Sequence, residues 1–183
     1  MGKRKKIDGV LLLDKPAGIS SNQALQQARW LYQAEKAGHG GTLDPFATGL
    51  LPVLFGEASK FGRYFLDGDK AYEATLAFGT ETDTGDLSGA VIREAAPPPL
   101  DAVDWVALCA RFSGVQRQVP PVYSALKVGG ERAYALARRG ELPQLKAREV
   151  VIHELRFLGM DGDGARFFVR CSKGTYIRSL LRD

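Results

Sequence analysis

With 183 residues, 45% of them hydrophobic and 25% charged, the chain is long enough to bury a core and has the make-up of a globular domain, which excludes a disordered or fibrous protein. Its apolar runs fall far short of the roughly 20 residues a membrane helix needs. Val10 to Leu13, after the basic start, is too short for a secretory signal, so a cytoplasmic protein without membrane contact is expected. The net charge of +4 is modest but clustered, and two cysteines with two histidines cannot assemble a metal site at zinc-like spacing.

Residues 1–8 form a basic arm carrying Lys3, Arg4, Lys5 and Lys6. GVLLLDKP, from Gly9 to Pro16, reads as a short buried strand closed by proline. A helix follows within Ser20 to Lys36, with Ser20 as candidate N-cap and Gln23 at the capping-box spacing. Ala24, Leu25, Ala28, Leu31 and Tyr32 recur at helical steps and read mostly as core. Next comes a glycine-studded loop, GHGGTLDPFATGLLP, from Gly38 to Pro52. A second helix is expected within Glu57 to Lys70, then a strand from Ala71 to Gly79 whose Tyr72, Ala74, Leu76 and Phe78 share one face.

TETDTGDLSG, from Thr80 to Gly89, reads as a polar turn, and Ala96 to Leu100 as a linker into a helix over Asp101 to Phe112. Val119 to Glu141 gives an extended segment, a Gly-Gly turn and a basic helix. Between Trp105 and Arg148, eight Lys or Arg side chains stand against Glu131 and Glu141, a local balance of +6 (8 − 2). Such a cluster is either the footprint of a polyanion or a solvated charged face. REVVIHELRFLGM, DGDG and ARFFVRCS form a two-strand hairpin from Arg148 to Ser172, and KGTYIRSLLRD opens a last helix. Cys109 and Cys171 lie in apolar-periodic segments and read as buried thiols rather than a disulfide. Strands and helices alternate irregularly, which fits a mixed α/β or α+β sheet better than a doubly wound one.

Several motifs do not meet their spacing. Gly38, Gly40 and Gly41 lack the third glycine of a dinucleotide fingerprint, because position 43 is Leu43. DTGD and DGDG lack the distal glutamate of a calcium loop, and no G-x-S-x-G elbow occurs. The loop around Asp44 is different. Pro45 biases Asp44 toward extended backbone, so local sterics partly set the direction of its carboxylate. Leu43 can anchor the loop in the core, while Gly40, Gly41 and Ala47 leave room for another chain. Taken alone, Asp44-Pro45 either opens an ordinary turn or seats a functional carboxylate. Tyr72 alone fits a core aromatic, Arg178 a helix-surface cation and His39 an exposed loop histidine.

GVLLLDKPAGISSNQAL, GHGGTLDPFATGLLPVLFGEASKF, KAYEATLAFGTETDTGD, PPVYSALKVGGERAYALAR and CSKGTYIRSLLRD, in this order, resemble the TruB family, the bacterial tRNA pseudouridine-55 synthases. The resemblance runs from about Ile7 to Asp183. It implies a pseudouridine-synthase-like α/β (α+β) fold, with a central, mostly antiparallel mixed sheet flanked by helices. It implies that Asp44 stands at the family's catalytic aspartate and Arg178 at the arginine paired with it. Tyr72 stands at the tyrosine stacked on the target base, Tyr176 at a base-contacting tyrosine, and His39 at the histidine that contacts the RNA loop beside the flipped-out nucleotide. Gly40 departs from the family, which usually shows threonine or another small residue there.

The implied partner is the T-arm stem-loop of tRNA rather than DNA, bound by a monomer. Isomerisation adds nothing and changes no oxidation state, so neither cofactor nor metal is called for. The family pattern continues past Asp183, and its bacterial members typically add a C-terminal PUA domain; residues 9–183 are therefore expected to be an incomplete catalytic domain without it. Two other readings share the charge pattern. A non-catalytic RNA-binding module would have no use for Asp44 with Arg178. A synthase of the guide-RNA branch is disfavoured by the short arm before Gly9.

Overall fold

Leucines alternate along β1 (Gly9–Lys15), and the alternation decides which face is buried. Leu11 and Leu13 pack on Leu25, Ala28, Val53 and Phe55, while Val10 and Leu12 face outward. The structure, a computed structural model, describes residues 4–183, so Lys3 of the basic arm lies outside the described residues. The chain divides into two compact units, Met1–Gly68 and Asp69–Asp183.

In the first unit, α1 (Ser21–Leu31) opens with the expected capping box. Ser20 Oγ accepts the Gln23 N–H at 3.2 Å, and Gln23 Oε1 accepts the Ser20 N–H at 2.8 Å. Such a cap contributes about 1 kcal/mol. The helix stops well short of Lys36 because Gln33 turns left-handed, at φ 54°. Ala24, Leu25 and Ala28 are buried as read, but Leu31 and Tyr32, at the frayed last turn, are exposed.

The glycine loop is narrower than its sequence suggests. Its ends are strands, β2 (Ala37–His39) and β3 (Gly49–Phe55), in a three-stranded antiparallel sheet of order β1-β3-β2. Pro52 sits inside the middle strand without breaking a ladder bond. Its carbonyl accepts the Gly40 N–H at 2.8 Å, so its missing N–H points to the same side, where β2 has ended after His39. A Cβ on Gly40 would lie 2.5 Å from Phe65 Cβ, so this chain needs glycine there. The region read as one helix is a 3-10 turn (Gly56–Phe61) followed by α2 (Gly62–Asp67), and Asp8 caps the turn by accepting the Glu57 N–H at 2.7 Å. The described part of the arm is tied by its backbone: the Lys5 N–H donates to Gln33, and the Lys5 carbonyl accepts from Glu35.

The second unit contains β4 (Lys70–Ala77), a ribbon of β5 (Thr80–Thr82) and β6 (Val91–Glu94), α3 (Trp105–Arg111), and β7 (Gly114–Gln118). It continues with a ribbon of β8 (Lys127–Val128) and β9 (Glu131–Arg132), α4 (Ala133–Arg138), the hairpin β10 (Arg148–Asp161) and β11 (Gly164–Cys171), and α5 (Ile177–Arg182). β4-β11-β10-β7 form one antiparallel sheet. Its apolar face carries Ile152, Ala165, Phe167 and Val169, with Leu180 of α5 and Cys109 of α3 packed in the same cluster. Trp105 stacks on Phe157 at 4.4 Å between centroids and meets Phe167 edge-on. Tyr72, Leu76 and Phe78 pack on this cluster, as their alternation predicts. Cys109 and Cys171 are buried free thiols, and burial pushes both up.

Two elements escape the sequence reading. β7 inverts the usual pattern, with Val115 exposed and Gln118 buried. The polar turn is the tip of the β5–β6 ribbon, whose second strand is exposed throughout and carries no burial signal. The mixed α/β class with antiparallel sheets is the one expected. Among the described residues no helix is long and apolar enough to cross a membrane.

Candidate active site

In the first unit, Asp44 is half-buried in the loop between β2 and β3, and the backbone on either side of it is held. Before it, the buried Ser21 hydroxyl accepts the Leu43 N–H at 2.8 Å and donates to the Leu43 carbonyl at 3.0 Å. After it, the Pro45 carbonyl accepts from the Gly18 N–H at 2.8 Å and from Lys15 Nζ at 3.3 Å. A turn from the Asp44 carbonyl to the Ala47 N–H, 3.1 Å, closes the loop. The anchor is therefore mostly the backbone of Leu43, whose side chain is only half-buried.

Lys15 is fully buried, and its ammonium also donates to the carbonyls of Pro16 and Ile19, each at 2.8 Å. Burial lowers its pKa, and the Asp44 carboxylate opposes that shift. Lys15 carries a sequence signal of its own. The inward positions of β1 are Leu11, Leu13 and, two residues on, Lys15: a charge on the buried face needs a polar purpose. His39 ends β2 opposite Val53, half-buried, with Nδ1 buried and without a hydrogen-bond partner among the described residues.

Tyr72, Tyr176 and Arg178 lie in the second unit. Tyr72 is half-buried on β4, opposite Val169. Tyr176 is the N-cap of α5, and the Arg148 guanidinium lies 4.8 Å from its ring centroid. Buried Gln118 accepts the Tyr176 N–H at 2.8 Å and donates to its carbonyl at 3.0 Å, and buried Ser179 donates to the Val119 carbonyl at 2.9 Å. These bonds fix the first turn of α5 against the end of β7. Arg178 projects from that turn; Nη1 donates to the Thr84 carbonyl at 2.6 Å and Nη2 to the Tyr123 carbonyl at 2.9 Å. Asp86 faces the same guanidinium. Burial raises its carboxyl, but hydrogen bonds from Ser88 and Thr84 and the charge of Arg178 outweigh that and hold it below the usual range.

The first unit thus supplies a carboxylate on a braced loop with a histidine at the loop's entrance. The second supplies a guanidinium and two tyrosines on a braced helix start and a core strand. The braces Lys15, Ser21, Gln118 and Ser179 are what sequence reasoning missed. The last three act across 22 to 60 residues of chain, and no local pattern marks them.

A family model described as TruB family pseudouridylate synthase (N terminal domain) matches residues 29–177. The chain is 54% identical to tRNA pseudouridine synthase B of Chromohalobacter salexigens, over 100% of this chain and 61% of that protein. It is 56% identical to the protein of the same name from Chromobacterium violaceum, over 97% of this chain and 58% of that one. It thus spans about three-fifths of the length of the curated relatives it matches. Among solved structures, a Cbf5-Nop10-Gar1 complex matches 94% of this chain and 42% of its own with a TM-score of 0.70 at 29% identity. With the family match covering most of its length and a similar fold in that complex, the chain belongs to the TruB family of pseudouridylate synthases.

Proposed function

We propose that this chain is the N-terminal catalytic portion of an enzyme that isomerises uridine 55 in the T arm of tRNA to pseudouridine. The observation that carries the proposal is the seat of Asp44, the carboxylate of the TLDPFATG loop, whose backbone is held before it by Ser21 and after it by Lys15. The reaction breaks the N1–C1′ bond of uridine, turns the base, joins C5 to C1′, releases the C5 proton to water and takes a proton up at N1. It calls for one well-placed carboxylate, as nucleophile or as a counter-charge to the sugar. It also calls for exclusion of water, since hydrolysis would leave an abasic site.

In this proposal Arg178 takes the part of the family's aspartate-pairing arginine, its planar fork suited to a carboxylate. Extruding the base costs a few kcal/mol, of which stacking on Tyr72 offsets about 1–3 kcal/mol. Tyr176 contacts the base, and His39 the RNA loop it leaves. The identity above 50% to proteins named tRNA pseudouridine synthase B favours tRNA over a guide-RNA-selected target. The test is to incubate a tRNA transcript with the protein and map pseudouridine by carbodiimide-dependent reverse-transcription stops. A single new stop at uridine 55 is expected. Stops spread over other uridines, or none, contradict the proposal.

A further inference from the structure

We propose that Asp83 and Tyr123 are a positioning pair that holds in place the two backbone carbonyls on which the Arg178 guanidinium rests; this builds on the reading of Arg178 as part of the catalytic machinery. The Tyr123 hydroxyl donates to Asp83 Oδ2 at 3.1 Å. The other carboxylate oxygen of Asp83 accepts the Ala90 N–H at 2.8 Å, while the Asp83 N–H donates to the Ala90 carbonyl at 3.0 Å. Asp83 therefore fastens the base of the turn that joins β5 to β6 and, through the same carboxylate, ties that turn to Tyr123.

Arg178 reaches both of the segments joined in this way. One of its acceptors is the carbonyl of Thr84, the residue after Asp83, and another is the carbonyl of Tyr123 itself. The phenol–carboxylate bond is thus a crossbar between two points on which the guanidinium rests. The segment around Tyr123, residues 119–126, belongs to no strand or helix, so turn and side-chain bonds rather than a sheet ladder set the position of its carbonyl. Asp83 and Tyr123 are both half-buried, and neither belongs to the core cluster of the unit, so the pair contributes direction more than packing. The polarity is fixed as well. The hydrogen bond to Asp83, with burial and the charge of Asp83, pushes the Tyr123 phenol up, so it stays a donor. Gly85 supplies the left-handed φ of 69° that the turn beside Arg178 adopts.

The test measures single-turnover tritium release from a T-arm hairpin labelled at uridine C5, at saturating RNA, alongside hairpin affinity and thermal midpoint on the same samples. Tyr123→Phe removes one hydroxyl and no packing. It is expected to slow release about five- to thirty-fold, with affinity within about two-fold and the midpoint within about 2 °C. Asp83→Asn is expected to slow release by a similar factor, and the double variant to be no slower than the slower single, because each removes the same bond. An unchanged rate in Tyr123→Phe, a slowing that tracks a lowered midpoint, or strictly multiplicative effects in the double variant would each overturn the positioning role.

A second readout does not depend on turnover. Rotation of the Arg178 guanidinium about its Cζ–Nε bond, followed by NMR on nitrogen-15-labelled protein, is expected to speed up in Tyr123→Phe, and unchanged rotation contradicts the proposal. Absence of tritium release in the unaltered protein would instead remove the catalytic reading, leaving the NMR result to decide on the pair.

Discussion

Buried Gln118 holds Tyr176 by both of its backbone groups, accepting the N–H at 2.8 Å and donating to the carbonyl at 3.0 Å, from 58 residues away in the chain. Ser21 does the same to Leu43, 22 residues away. In each unit, a buried polar side chain clamps the backbone next to a residue read as functional. A helix start or loop held this way need not be ordered again when substrate arrives.

Replacing Gln118 with leucine fills the same space with an apolar side chain and leaves the Tyr176 N–H unpaired, while the Tyr176 carbonyl keeps the helical bond from the Leu180 N–H at 3.1 Å. Orphaning buried polar groups costs about 1–3 kcal/mol each. The variant is expected to lose about 1–3 kcal/mol in urea denaturation and to release tritium more slowly, since the same turn carries Arg178. Full stability would show that water replaces the amide.

Ser21→Ala removes the clamp on Leu43 but leaves the Ser20 capping box intact. A loss of about 1–3 kcal/mol is expected, with single-turnover rate falling more than RNA affinity. Ser21→Thr, which restores a hydroxyl, should recover part of both. Equal losses in rate and affinity would mean that the clamp shapes the binding surface rather than the Asp44 seat.

Asp86 gives a pH signature whose sign follows from its lowered pKa. The unfolded carboxyl, near 3.8, takes up a proton at higher pH than the folded one. The contribution of Asp86 to stability is therefore fully present above 3.8 and is lost as pH falls through the lower folded value. The stability difference between the unaltered protein and Asp86→Asn should be constant at neutral pH and shrink as pH drops below 3.8. A difference independent of pH across that window would show that Asp86 is not held ionised by its partners.

Much of the fold is legible because its signals are local. The capping box at Ser20 and Gln23, the alternation of β4 and the hairpin from Arg148 to Cys171 all lie where the sequence places them. Legibility fails where tertiary contacts reverse local preference. Val115 is 63% exposed while Gln118 is 3% exposed, so β7 carries its buried residue under a polar name. The site divides the same way. Asp44, Tyr72 and Arg178 sit in dense motifs, but their supports are single polar residues, and only Lys15 betrays itself by periodicity.

The basic stretch from Trp105 to Arg148 needs finer accounting than a charge count. Both of its acids, Glu131 and Glu141, pair with Arg139, at 2.7 Å and 3.0 Å. Arg138 instead lies over the Tyr134 ring, which neutralises none of its charge. Arg138→Gln is expected to flatten the slope of log affinity against log salt by about 0.7–0.9, as for one lost phosphate contact, while Arg139→Gln changes it little. Equal flattening by both would mean that the Arg139 ion pairs open when RNA binds.

Asp44 is the centre of the proposed chemistry, and one measurement reaches it: tritium release from a T-arm hairpin labelled at uridine C5, with the unaltered protein and Asp44→Asn compared at saturating RNA. Asparagine keeps the shape of the side chain and its place between Leu43 and Pro45 but removes the negative charge. The expected result is release with the unaltered protein and none above background with the variant, while hairpin affinity stays within about three-fold. Tritium release by Asp44→Asn at a rate near that of the unaltered protein would contradict the assignment of Asp44 as the catalytic carboxylate.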